Sequence, residues 1–152
     1  MAVSQFRGAL AVFSSEVRES TVKRLRMVRP EHYHWSPRPD LLSFVDVLQH
    51  LIDADRWLFD LLDGKSTSNG VVISPGGGHA QEWDGRLREL VQLGTERCRR
   101  IEECAELDFF QKQFDLGKRG RFSLYHLILR CNIDHEIHHR GALQVLLRLL
   151  YG

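Results

Sequence analysis

The sequence is short of cysteine, short of proline and almost without net charge, and each shortage removes a class of protein. Its three cysteines, Cys98, Cys104 and Cys131, are odd in number and form no CxxC pair, which leaves out a disulfide framework and a thiolate zinc site. A reducing, cytoplasmic setting is the expectation. The formal net charge of +1 lacks the concentrated basic surface that phosphate binding needs, so no nucleic acid partner is expected. The local basic clusters have simpler readings: Lys23, Arg24, Arg26 and Arg29 close a helical segment, and Lys118 to Arg121 is a solvated turn. There is no repeat period and no GxGxxG or P-loop pattern. The opening segment MAVSQFRGALAVFSSEV has Arg7 and Glu16 bracketing an apolar run too short for a membrane span, and it lacks a clear signal-peptide cleavage pattern. No membrane partner is expected.

What is present is the composition of one globular domain over residues 1–152, with 43% hydrophobic and 27% charged residues. Three of the four prolines fall between Pro30 and Asp40, so that stretch is a loop, with Trp35 placed to pack on the rest. Apolar residues recur at helical spacing in four other segments. Phe6, Leu10, Phe13, Val17 and Leu25 mark a first helix ending before Pro30. A second spans about 40–62, with Gly64 just past its end, and a third about 81–106, weakened by Gly85 and Gly94. Residues 64–79, rich in glycine and serine, connect the two, and 108–122 form a short hairpin or irregular link before a fourth helix over about 123–151. Four amphipathic helices without a convincing sheet predict an all-α fold, a four-helix bundle, whose core is a usual place for metal sites.

The fourth helix carries the chemistry. Its inward stripe reads Leu124, Ile128, Cys131, His135, His139, Ala142, Leu146 and Leu149, placing two histidines one turn apart on the core face. On the second helix Val47, His50, Ala54, Trp57 and Leu61 line up in the same way. His50, His135 and His139 therefore form a candidate three-histidine site. Three neutral nitrogen ligands leave positions open on zinc, nickel or ferrous iron, the catalytic rather than the closed structural arrangement. The alternative is three core histidines bonded to polar neighbours: Asp46 and Asp53 flank His50, and Asn132 and Glu136 sit three positions before His135 and His139. The same four groups could instead orient metal-bound imidazoles. His138 falls on the rim and His126 on the opposite face, while His32, His34 and His79 lie in loops. Arg140 has two readings, as a holder of an anionic group or as surface cover.

The segments WSPRPDLLSFVDVLQHLIDADRWL (Trp35 to Leu58) and SLYHLILRCNIDHEIHHRGALQVLLR (Ser123 to Arg148) resemble the DinB/YfiT-like family. Its members are four-helix bundles with a lone histidine on the second helix and HxxxH on the fourth; the most specific match is HHRG, His138 to Gly141. The resemblance implies a divalent metal ion held by His50, His135 and His139. It also implies chemistry on a small-molecule substrate, since the family includes thiol-dependent S-transferases, a thiol-dependent isomerase and hydrolases, with a low-molecular-weight thiol as cosubstrate. The position after HHRG, Gln in many relatives, is Ala142 here. Which groups act as catalytic residues stays open, as does a non-catalytic alternative, a metal- or ligand-binding bundle serving as a dimeric scaffold or in a stress response. Members are often homodimers, and the apolar tail Leu143 to Tyr151 exceeds what one stripe can bury.

Overall fold

A computed structural model describes residues 3–65 and 70–152. Helix α1 (Val3–Leu25) ends shortly before Pro30, which has no amide hydrogen to give a continuing helix. After the proline-rich loop, α2 (Phe44–Leu62) starts at a capping box: Ser43 accepts from the Asp46 amide while the Asp46 carboxylate accepts from the Ser43 amide. The loop itself packs through a Tyr33–Trp83 stack with ring centroids 4.0 Å apart, and the half-buried Trp35 lies against Phe44. Helix α3 (Trp83–Glu103) is shorter at both ends than the spacing predicts. A short α4 (Glu106–Gln111) leads into the hairpin of β1 (Gln113–Asp115) and β2 (Arg121–Ser123), paired Phe114 to Phe122. From there α5 (Leu124–His126), a π-helical stretch (Leu127–Ile133) and α6 (Asp134–Tyr151) run on as one rod.

Helices α1 and α2 each pack against both α3 and the final rod, so α1 stands diagonally across from α2 in a four-helix bundle. Two apolar clusters fill its halves. One gathers Leu25, Phe44, Leu48, Leu90, Leu143 and Leu147; the other gathers Leu10, Val17, Leu58, Ile101, Leu127 and Ile133. Between them, at the same height on every helix, lies a polar waist of one buried charged residue per helix: Arg18, Asp55, Arg97 and Glu136. Arg18 donates to both carboxylates, through Nη2 to Asp55 at 2.6 Å and through Nε to Glu136 at 2.8 Å. Arg97 does likewise at 3.1 and 2.8 Å, and its Nε donates to Ser14 at 2.8 Å. Two cations thus balance two anions, and the hydrogen-bonding groups are matched, as burial of charge requires.

The apolar spacing of α1 misses this layer. Phe13, expected inward, is 42% exposed, while Ser14, Arg18 and Thr21 are buried in the stripe. Gly94 has a related role: a Cβ there would stand 2.8 Å from Cγ of Arg18, so the glycine makes room for the arginine stem to cross. Replacing a helical glycine by alanine ordinarily stabilises by about 1 kcal/mol. Gly94→Ala is expected instead to destabilise by ~1–3 kcal/mol through overpacking, read as a lower urea midpoint at unchanged slope.

The final rod departs from the predicted stripe for a definite reason. The Asp134 amide reaches back five residues to the Leu129 carbonyl, a π-helical bond that shifts the phase of everything after it. The buried set becomes Leu124, Leu127, Ile128, Asn132, Ile133, Glu136, His139, Leu143, Leu146 and Leu147. Cys131 and His135 move to the half-buried flank, Ala142 becomes exposed, and Leu149 is 62% exposed. Among the described residues no helix is long and apolar enough to cross a membrane.

Candidate metal centre

His50 sits in the second turn of α2, on a helix whose capping box fixes where it begins. His135 and His139 open α6 directly after the π-helical stretch, which turns both rings toward α2. The three Nε2 atoms converge: His50 to His135 at 2.8 Å, and His139 to His135 at 3.0 Å. A neutral imidazole nitrogen carries either one lone pair or one hydrogen, so His135 Nε2 cannot satisfy two such neighbours by hydrogen bonding alone. A shared cation can. Tetrahedral ligands at ordinary zinc–nitrogen distances stand about 3.3 Å apart, and the two distances to His135 need open only by tenths of an ångström to match.

The protonation states agree with this use. Burial, followed by the neighbouring His135, brings His50 down to about 4. Burial and the surrounding imidazoles bring His139 to about 3, and burial also lowers His135. All three rings are neutral near pH 7, the form that binds metal. His50 and His139 are buried and His135 half-buried, and together they are a group that could hold an ion.

The four residues that helical spacing offers as partners of these rings are occupied elsewhere. Asp53 accepts from Gln49, Asn132 donates to the Ala54 carbonyl and to Asp55, and Glu136 belongs to the charged waist. Nδ1 of His50 and of His135 is buried without a hydrogen-bond partner among the described residues. Asp46 does something else again. Its carboxylate accepts from the Ser43 hydroxyl at 2.7 Å and from the amides of Gly76 at 3.1 Å and Gly78 at 2.9 Å. Burial alone would raise its carboxyl, but the Ser43 hydroxyl and the amides of Ser43, Gly78 and Gly76 hold it below the usual range.

Asp46 thereby pins the segment 70–78 across the face of α2. Gly78 lies so close that a Cβ would fall 2.7 Å from the Val45 carbonyl carbon. This strap walls the space around His50 on two sides. One cavity of about 200 Å³ lies between His50, Asp53 and strap residues Val72 and Ile73. Another, of about 210 Å³, reaches from His50 and His135 to Val71 and Arg119. Residues 70–78 therefore wall the site, a role their sequence did not announce. Asp46→Ala is expected to speed amide exchange at Gly76 and Gly78 by roughly tenfold or more. Ser43→Ala, which removes the cap but leaves the strap's anchor, should not, and equal protection in both variants would contradict the pinning.

His138 is exposed on the rim and His126 is exposed to solvent, as the helix geometry predicts. His32 has a partner after all, the Tyr151 hydroxyl at 2.9 Å. A larger groove of about 710 Å³ runs between α1 and α3, but no histidine lines it. Residues 15–143 match the family model described as the DinB superfamily. No curated protein and no solved structure matches the chain significantly.

Proposed function

Since the chain belongs to the DinB superfamily, we propose that His50, His135 and His139 bind a divalent ion, zinc, nickel or ferrous iron, at the heart of a metal-dependent transferase or hydrolase. The observation that carries this reading is the meeting of three Nε2 atoms around one point. The substrate is a small molecule, in keeping with cavities of about 200 and 210 Å³, and a low-molecular-weight thiol is the cosubstrate. An ion bound there would acidify a thiol or water, making a nucleophile available near neutral pH. The chain's own part is positional. The two helices present the histidines, the Asp46-pinned strap limits access of water, and Trp57 and Val71 line an apolar side on which a substrate can lie.

The test is metal content by elemental analysis, on protein purified without an immobilised-metal column, beside a His135→Ala, His139→Ala variant. Near-stoichiometric metal in the parent and none in the variant is expected. Thiol consumption in the presence of an electrophile, lost in His50→Ala, would place the protein among the transferases. No metal in either protein after reconstitution with all three ions would sink the proposal.

The same reading includes a homodimer. Val145 and Leu149 stand one turn apart on α6, 57% and 62% exposed, an apolar strip that a second copy would cover. Sedimentation should give twice the chain mass, and Leu149→Glu should return it to the monomer. A monomeric parent at high concentration would count against the dimer.

A further inference from the structure

Asn132 lies in the π-helical stretch, 2% exposed, one helical turn before His135. Its Nδ2 donates to two acceptors on α2, the Ala54 carbonyl at 3.3 Å and Oδ1 of Asp55 at 3.0 Å. Both of those atoms only accept, which fixes the orientation of the carboxamide, with its nitrogen on α2. Ala54 is itself one turn beyond His50. The amide therefore ties the rod to α2 beside the place where Nε2 of His50 and of His135 meet at 2.8 Å.

The oxygen of the same carboxamide is left over. Oδ1 of Asn132 is buried with no donor, and Nδ1 of His135 is buried with no partner, among the described residues. A buried polar atom left unpaired is destabilising, so two of them one turn apart call for a physical reason. Metal binding supplies one. An ion on Nε2 leaves the ring's hydrogen on Nδ1, which makes His135 a donor at that atom, and residues three apart on a helix are neighbours. A side chain that accepts from the distal nitrogen of a ligand fixes its tautomer and the direction of its ring.

We propose that Asn132 is a positioning residue for the metal ligand His135. Its nitrogen holds the rod on α2, and its oxygen takes the Nδ1 hydrogen of His135 when the ion is bound. The π-helical turn belongs to the same device, since it sets the phase that buries Asn132 and turns His135 toward α2. This rests on the metal centre proposed above and adds the group that orients it.

The experiment compares zinc affinity, by competition with a chromophoric chelator, in the parent, Asn132→Leu and Asn132→Asp. Leucine is close in size and removes both bonds, so it should weaken zinc binding by about 10- to 100-fold. Aspartate keeps an acceptor for His135 but sets a second carboxyl against Asp55. It should lower the urea midpoint of the metal-free protein and still bind zinc about as tightly as the parent, whereas a purely structural role would lower both together. In the zinc-loaded parent, nitrogen-15 NMR of the histidines should show the Nδ1 hydrogen of His135 protected from exchange. Asn132→Asp should move that resonance downfield and leave the one from His50 in place, a readout that does not need the leucine variant to fold. Rapid exchange at His135, a downfield move at His50 instead, lost affinity in Asn132→Asp or parental affinity in Asn132→Leu would overturn the inference and leave the metal centre standing. Absence of zinc from the parent would overturn both.

Discussion

Arg97→Met is expected to lower the unfolding midpoint by on the order of 10 °C, the largest effect of any single substitution at the waist of the bundle. Arg97 is 1% exposed and serves three groups at once: Asp55, Glu136 and Ser14. Removing it leaves Glu136 and Asp55 with one guanidinium between them in a layer without water access. Breaking a buried pair in this way costs ~3–5 kcal/mol, because the surviving charge is desolvated and uncompensated, and that cost translates into the stated shift for a chain of this size. Burial by itself would raise the Glu136 carboxyl, yet Arg97 and then Arg18 bring it down to about 2. Glu136 therefore contributes its full stability above its unfolded value near 4.5 and loses it progressively as pH falls from there through about 2. Glu136→Gln imitates that loss at neutral pH and should destabilise comparably. The double variant Arg97→Met, Glu136→Leu should fall well short of the sum, since each change removes the other's stranded partner. A midpoint within a degree or two of the parent for Arg97→Met would show that the waist is not a matched unit.

The waist also marks the boundary of what periodicity can reveal. Four helices and their order follow from apolar spacing and from Pro30 and Gly64, and the structure has them. His50, His135 and His139 were legible for the same reason, since each lies on or beside an apolar stripe at helical spacing, and the structure brings them together. Arg18, Asp55, Arg97 and Glu136 were not legible. A charged residue on a stripe reads as an interruption until its partner is known, and each partner here is on another helix, 37 to 118 positions away. Asp55 and Arg97 had no spacing relation to expose them. The π-helical bond from Asp134 to Leu129 was equally silent. LILRCNI offers no residue that demands a wider turn, so the stripe through Cys131, Ala142 and Leu149 followed an ideal pitch that the chain does not keep. Gly76 and Gly78 looked like linker residues because their function, close approach to the Asp46 carboxylate, depends on a contact 30 and 32 residues distant.

Acidification of the metal-free protein should expose the histidine cluster directly, as a loss of stability that begins below about pH 6.5 and is much reduced in a His50→Gln, His139→Gln variant. In the unfolded chain these imidazoles take up protons near 6.5, whereas in the folded protein burial holds His50 to about 4 and His139 to about 3. The unfolded state therefore binds more protons across that window. Stability must then rise with pH there and fall as pH drops, levelling off only when the folded rings are protonated too. Each excess proton contributes a slope of up to ~1.4 kcal/mol per pH unit, less wherever solvent reaches the rings. Glu136 cannot produce this step, because its own contribution begins to fall only near its unfolded value of about 4.5. Between pH 6.5 and 4.5 the histidines and Glu136 are thus separable by pH alone. Zinc should add stability at pH 7 in proportion to its occupancy and lose that advantage through the same window, as protons compete for the three Nε2 atoms. Urea midpoints measured from pH 7.5 to 4.5 with and without zinc would decide the matter. Parallel curves for the parent and the double variant would mean that the three rings titrate as ordinary surface histidines and that their convergence carries no energetic tension for a metal to relieve.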